Sequence, residues 1–110
     1  MLQRIYLQEL LKSYSDLPLE CDGFTRIFHY ILKKNNIPHK TFFGSVTWKN
    51  ESFHPHYWIT VENLIVDYAL KLWFKDSPNG IFEINDNLKY EGEEISLDCT
   101  ETIFRILTMR

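Results

Sequence analysis

His56-Tyr57-Trp58-Ile59-Thr60-Val61-Glu62-Asn63-Leu64-Ile65-Val66-Asp67 is the stretch whose reading decides the fold. β-Branched and aromatic residues flank the polar pair Glu62-Asn63, the pattern of two short strands joined by a two-residue turn in which Asn tolerates positive φ. With that turn, Val61 faces Leu64, Ile59 faces Val66 and Trp58 faces Asp67, so His56 lies diagonal to Asp67 on one face of the hairpin. A carboxylate among Ile65, Val66, Ala69 and Leu70 is out of place in a strand unless something bonds it. The imidazole is a fitting partner.

Outward from the hairpin, apolar periodicity alternates with turn chemistry. Phe24, Ile27, Phe28, Ile31 and Leu32 recur at helical spacing, the stripe of a helix lying on a core, with Cys21 in its first turn. Lys33-Lys34-Asn35-Asn36 suits the C-terminal end of that helix, and Ile37-Pro38 terminates it. Further upstream, Leu2, Ile5, Tyr6, Leu10 and Leu11 mark a short amphipathic helix within 1–14 that leaves Gln3, Arg4, Gln8, Glu9 and Lys12 to solvent. Residues 41–48 read as a strand whose Gly44 permits a bulge or the close approach of another group, and 49–52 turn the chain back.

Past Asp67 the strand is expected to continue to Leu70 or Leu72, and 75–80 to form a loop. Ile81-Phe82-Glu83-Ile84 and Leu88-Lys89-Tyr90 read as short strands. Asp98-x-x-Glu101 resembles a capping box opening a last helix that presents Ile103, Phe104, Ile106 and Leu107. Helices first, then hairpins, give an α+β class with N-terminal helices on a mostly antiparallel sheet.

At 110 residues, 45% hydrophobic and 25% charged, the chain is expected to be one domain over 1–110 that folds without disulfides or metal. Twelve basic against fifteen acidic residues, scattered rather than gathered, give −3 and no support for nucleic-acid binding. Leu64 to Phe74 is broken by Asp67 and Lys71, so no membrane span is expected. Cys21 and Cys99 are far apart, with no CxxC pair and no secretory leader, which reads as two reduced thiols in a cytoplasmic protein.

Three reactive side chains thus stand in order: Cys21 at a helix start, His56 on one strand and Asp67 on the next. A thiol attacks as thiolate, stabilised by a helix N-terminus and a nearby imidazole. The helix end contributes about 0.3 to 1 kcal/mol, less than the roughly 1.36 kcal/mol of one pKa unit, so the imidazole must do most of the activation. Asp67 would fix the ring's tautomer. Glu20 and Asp22 oppose this by raising the thiol pKa unless their side chains point away. Taken alone, Cys21 reads as a small core residue and His56 as an edge-bonded strand residue. His54 and His56, alternate residues of one strand, could instead share a metal. His29 and His39 read as ordinary, and Cys99 as a residue without a partner.

The chain resembles the transglutaminase-like cysteine enzymes in Cys21 opening an amphipathic helix, Ile37-Pro38 before a strand, and His56-Tyr57-Trp58 followed by an apolar strand, tight turn and Asp67-Tyr68. The resemblance covers roughly Leu19 to Leu72 and implies a papain-like core, a nucleophile at Cys21, a general base and acid at His56 and an orienting carboxylate at Asp67. The implied chemistry is acyl transfer through a thioester, without cofactor or metal, on a peptide or protein substrate: peptidase, amidase or deamidase, or transglutaminase-like. Asp22-Gly23 departs from the small or aromatic residue that often follows the cysteine. Candidates for substrate contact are Trp58 and Gln8, the latter as a side-chain oxyanion donor beside the backbone N–H of Cys21. The competing reading is an inactive binding or inhibitory module that keeps the fold.

Overall fold

The computed structural model describes residues 2–109. Helix α1 (Leu2–Leu11) is followed by one 3-10 turn, Lys12–Tyr14, and then by α2 (Cys21–Lys34). Strands β1 (Lys40–Trp48), β2 (Glu51–Val61), β3 (Leu64–Asp67), β4 (Gly80–Glu83) and β5 (Leu88–Ile95) precede a last helix, α3 (Glu101–Leu107). The strands form one antiparallel sheet in the order β4-β3-β2-β1-β5. This is an α+β arrangement.

Both faces of the sheet are apolar. Under the helices lie Ile59, Val61, Leu64 and Val66, against Leu7 and Leu11 of α1 and Phe24, Phe28 and Ile31 of α2. On the opposite face Val46, Trp58, Ile65 and Phe82 pack against Leu70 and Phe74 from the connection between β3 and β4. Strand alternation therefore assigns Ile59 and Val66 to the helix side, and Trp58 and Ile65 to the far side. Helix α3 docks through Phe104, stacked on Tyr30 at 4.4 Å and edge-on to Tyr14.

The β2–β3 hairpin has the expected register, Val61 opposite Leu64 and Ile59 opposite Val66. The residue with positive φ in its turn is Glu62 (53°), not Asn63. The first hairpin is tighter than 49–52: Lys49 and Asn50 alone turn it, with φ of 49° and 74°, the geometry whose twist matches the flanking strands. In α1 the buried residues are Leu7 and Leu11, whereas Ile5 and Tyr6 are exposed, so the core face lies on the Leu7/Leu11 ridge and not on the Ile5/Tyr6 side read from the sequence. The side chain of Leu2, placed on that apolar side by the sequence, lies outside the described ones. The cap of α3 is Thr100, whose hydroxyl accepts from the Ile103 N–H; Asp98 does not fill that place, and Ile106 is exposed rather than presented to the core. Strand β5 runs five residues beyond Tyr90, because it pairs with β1 along its whole length.

Two local devices shape the region around Asp67. The strand does not continue to Leu70 or Leu72: the Asp67 carboxylate accepts the Ala69 N–H at 3.1 Å, an Asx-type turn that takes the chain out of the sheet into a 3-10 turn at Leu70–Leu72. In β2, the register against β1 shifts so that His56 opposes Gly44 while Phe53 opposes Val46. Two residues, His54 and Pro55, thus face the single Ser45, a bulge at which the missing proline N–H removes no ladder bond. The bulge reverses the facing of the preceding residues. Phe53 now shares a side with His56, and His54 lies against Phe43 on the side of Tyr57.

Gly44 meets its other neighbour, β5, without room for a side chain. A Cβ there would collide with the carbonyl of Glu91 and the Cα of Gly92. Gly44→Ala is therefore expected to lower unfolding free energy by about 1–3 kcal/mol, the usual range for overpacking, measured by urea denaturation. A change near zero would show that β1 and β5 can separate freely.

Candidate functional site

His56 is fully buried, and its surroundings follow from the bulge and the turn just described. The ring is packed by Trp58 at 6.1 Å, Phe53 at 6.3 Å and Tyr90 at 6.3 Å between centroids. Phe53 is in turn stacked at 3.9 Å on the exposed Trp73. Trp58 lies nearly parallel to Phe42 and reaches Gly92, where a Cβ would stand 2.9 Å from its ring. The glycine makes space for the indole that flanks the imidazole.

Within this aromatic shell, His56 Nε2–H donates to Asp67 Oδ2 at 2.6 Å. Asp67 is 3% exposed and accepts two further hydrogen bonds, Ala69 N–H to Oδ1 and Tyr90 O–H to Oδ2 at 2.7 Å. All three partners donate, so both carboxylate oxygens act as acceptors. In the neutral ring this fixes the tautomer, because Nε2 must carry the proton. Tyr90 is a residue that sequence reasoning missed, because it sits in a strand of alternating charge; only its facing, two residues from Leu88, hints at burial.

Nδ1 is the one buried side-chain nitrogen or oxygen among the described residues that completes no hydrogen bond. Besides Asp67, the Cys21 thiol bears on the ionisation of the His56 ring. Burial pushes the His56 pKa down. The bond to Asp67, the contact with Cys21 and the charges of both outweigh it, and the value rises from 6.5 to about 9. The backbone ladder between β2 and β3 ends at Ile59 and Val66, before it reaches His56.

Cys21 itself is 8% exposed and is the first residue of α2. Glu20, its N-cap, makes no side-chain capping bond, and the first backbone bond of the helix runs from the Phe24 N–H to the Glu20 carbonyl. The N–H groups of Cys21, Asp22 and Gly23 are consequently unused within the helix. Both flanking carboxylates, Glu20 and Asp22, are on the solvent side. Asp22 in the first turn complements the helix dipole.

Of the residues singled out in the sequence, Cys21, His56, Asp67 and Trp58 come together. Gln8 does not: it is exposed on α1, a helix whose strand neighbour is β4. The shared metal reading of His54 and His56 also fails, since the bulge separates their faces and His54 donates Nδ1–H to the Gly44 carbonyl at 2.9 Å. His29 and His39 are partners of each other at 2.7 Å. His39 Nδ1–H donates to the Ile37 carbonyl, so its Nε2 accepts from His29. Cys99 lines a cavity of about 500 Å³ with His29, Tyr30 and Lys33, whose lining includes none of Cys21, His56 and Asp67, and burial raises its pKa despite Arg26 nearby. No helix among the described residues is long and apolar enough to cross a membrane. No family model, curated protein or solved structure matches the chain.

A raised histidine pKa makes a stabilising contribution that is complete below the unfolded value and is lost as pH rises through the folded one. For His56 that window runs from 6.5 to about 9 and corresponds to about 3 kcal/mol. The stability advantage of wild type over His56→Gln is thus expected to be largest below the window and to shrink across it. Asp67→Asn should bring the NMR titration midpoint of His56 down by more than about one unit, and an unmoved midpoint would deny the coupling.

Proposed function

We propose that the chain is a thiol-dependent hydrolase or acyltransferase in which Cys21, His56 and Asp67 form a catalytic triad on a transglutaminase-like, papain-like core. The observation that carries the reading is the buried His56 ring, bonded through Nε2 to Asp67 with Nδ1 unpaired, whose ionisation is also influenced by the thiol at the start of α2. The antiparallel sheet with a helix N-terminus at its interrupted ladder supports the resemblance seen in the sequence.

In this reading Cys21 transfers its proton to Nδ1, and the thiolate attacks the acyl carbon of a peptide, isopeptide or glutamine side-chain amide. The oxyanion is met by the unused N–H of Cys21 and its neighbours at the helix start, which replaces the role considered for Gln8. The His56 imidazolium gives its proton to the departing amine as the C–N bond breaks, leaving a thioester on Cys21. Neutral His56 then takes a proton from water or an acceptor amine, whose attack releases the acyl group and restores the thiol. Asp67 stabilises the charged ring through both halves. No cofactor enters any step.

A second reading, a binding or inhibitory module that retains the fold without activity, is favoured by one observation: Cys21 is 8% exposed and His56 fully buried. Alkylation separates the two, with Cys99 as an internal control. If the triad operates, iodoacetamide at neutral pH should label Cys21 roughly tenfold faster than Cys99, and His56→Ala should abolish the difference. Labelling of Cys21 no faster than Cys99, read by peptide mass spectrometry, would favour the inert module.

A further inference from the structure

Tyr90 enters the site from β5, the strand farthest from β3 on that side of the sheet. Its hydroxyl reaches over β1 and β2 to Asp67 Oδ2, the same oxygen that holds His56 Nε2. Its ring is fixed independently, tilted against Trp58 at 4.7 Å and against His56 at 6.3 Å. Opposite it, Gly44 and Gly92 pair across β1 and β5, which lets the aromatic layer lie close to the backbone.

Two donors on one carboxylate oxygen compete for its electron density. We propose that Tyr90 is a positioning residue of this site, locking the Asp67 carboxylate in the plane that meets His56 and drawing off part of the charge that the imidazole would otherwise receive. Ala69 N–H holds the other oxygen, so the carboxylate is fixed at both ends and only the share reaching His56 is adjustable. The phenol stays a neutral donor: burial, then the neighbouring Asp67 charge and bond, push its ionisation far up. The ionisable groups bearing on His56 are Asp67 from β3 and Cys21 from α2, with Tyr90 acting through the former. The catalytic consequence rests on the proposed triad, since a ring too tightly paired with its carboxylate is a poor acid toward a leaving amine.

The test is the NMR titration of His56 in wild type, Tyr90→Phe, Asp67→Asn and the double variant, with iodoacetamide labelling of Cys21 run in parallel. Removing the hydroxyl should raise the His56 midpoint by about half a unit or more when Asp67 is present and leave it unchanged in Asp67→Asn. Replacing the tyrosines by 3-fluorotyrosine, whose phenol is a stronger donor, should lower the midpoint with the fold preserved, and serves if Tyr90→Phe fails to fold. An unmoved midpoint with either replacement, or the same shift with and without the Asp67→Asn substitution, would overturn the role and leave Tyr90 a packing residue. Because the titration needs no turnover, a shift without fast Cys21 labelling would retain Tyr90 as Asp67's partner while rejecting the triad's activity.

Discussion

The buried pair of His56 and Asp67 is the constraint on which this structure depends. Neither side chain can be tolerated alone in its apolar surroundings, since an unpaired buried charge costs on the order of 3–5 kcal/mol. The rest of the chain satisfies what the pair leaves over. The Asx turn at Ala69 uses the second carboxylate oxygen and, in doing so, ends β3. Tyr90 uses the remaining capacity of the first. One ring nitrogen is left unpaired, and the first residue of α2 bears on the ring's ionisation.

Several features that look incidental serve this common geometry. The His54-Pro55 bulge brings Phe53 to the side of His56, closing the aromatic shell, and turns His54 toward the Gly44 carbonyl. Gly44 and Gly92 let β1 and β5 approach, so that Trp58 and Tyr90 can flank the imidazole. The exposed Trp73, stacked on Phe53, closes this layer from outside, beyond the point where the ladder between β2 and β3 ends. Burial and pairing are therefore joined: the same low-dielectric shell that penalises an isolated imidazolium strengthens its bond to Asp67.

The parts of the fold that were legible in the sequence are those set by local period and by one hairpin. The α2 stripe from Phe24 to Leu32 and the register of Ile59 with Val66 follow from spacing alone, and with them the meeting of His56 and Asp67. What the sequence concealed depends on non-local partners. Leu7 rather than Ile5 faces the core because α1 is placed by its tertiary packing, not by its own weak amphipathic pattern. Asp67 stops β3 through a side-chain bond that no periodicity encodes, and the pairing of Tyr90 with Asp67 crosses two intervening strands. The bulge hid the fate of His54, since strict alternation put it beside His56.

The reactivity proposed for this fold turns on an electrical coupling between the Cys21 sulfur and the His56 ring, carried by Nδ1. The most direct measurement is the NMR titration midpoint of His56 in wild type and in Cys21→Ala, under identical salt. A midpoint near 9 is predicted in wild type, with a clear fall when the sulfur is removed and the Asp67 bond is still in place. Superimposable titration curves would contradict the coupling, leaving His56 and Asp67 a structural pair that the thiol does not join.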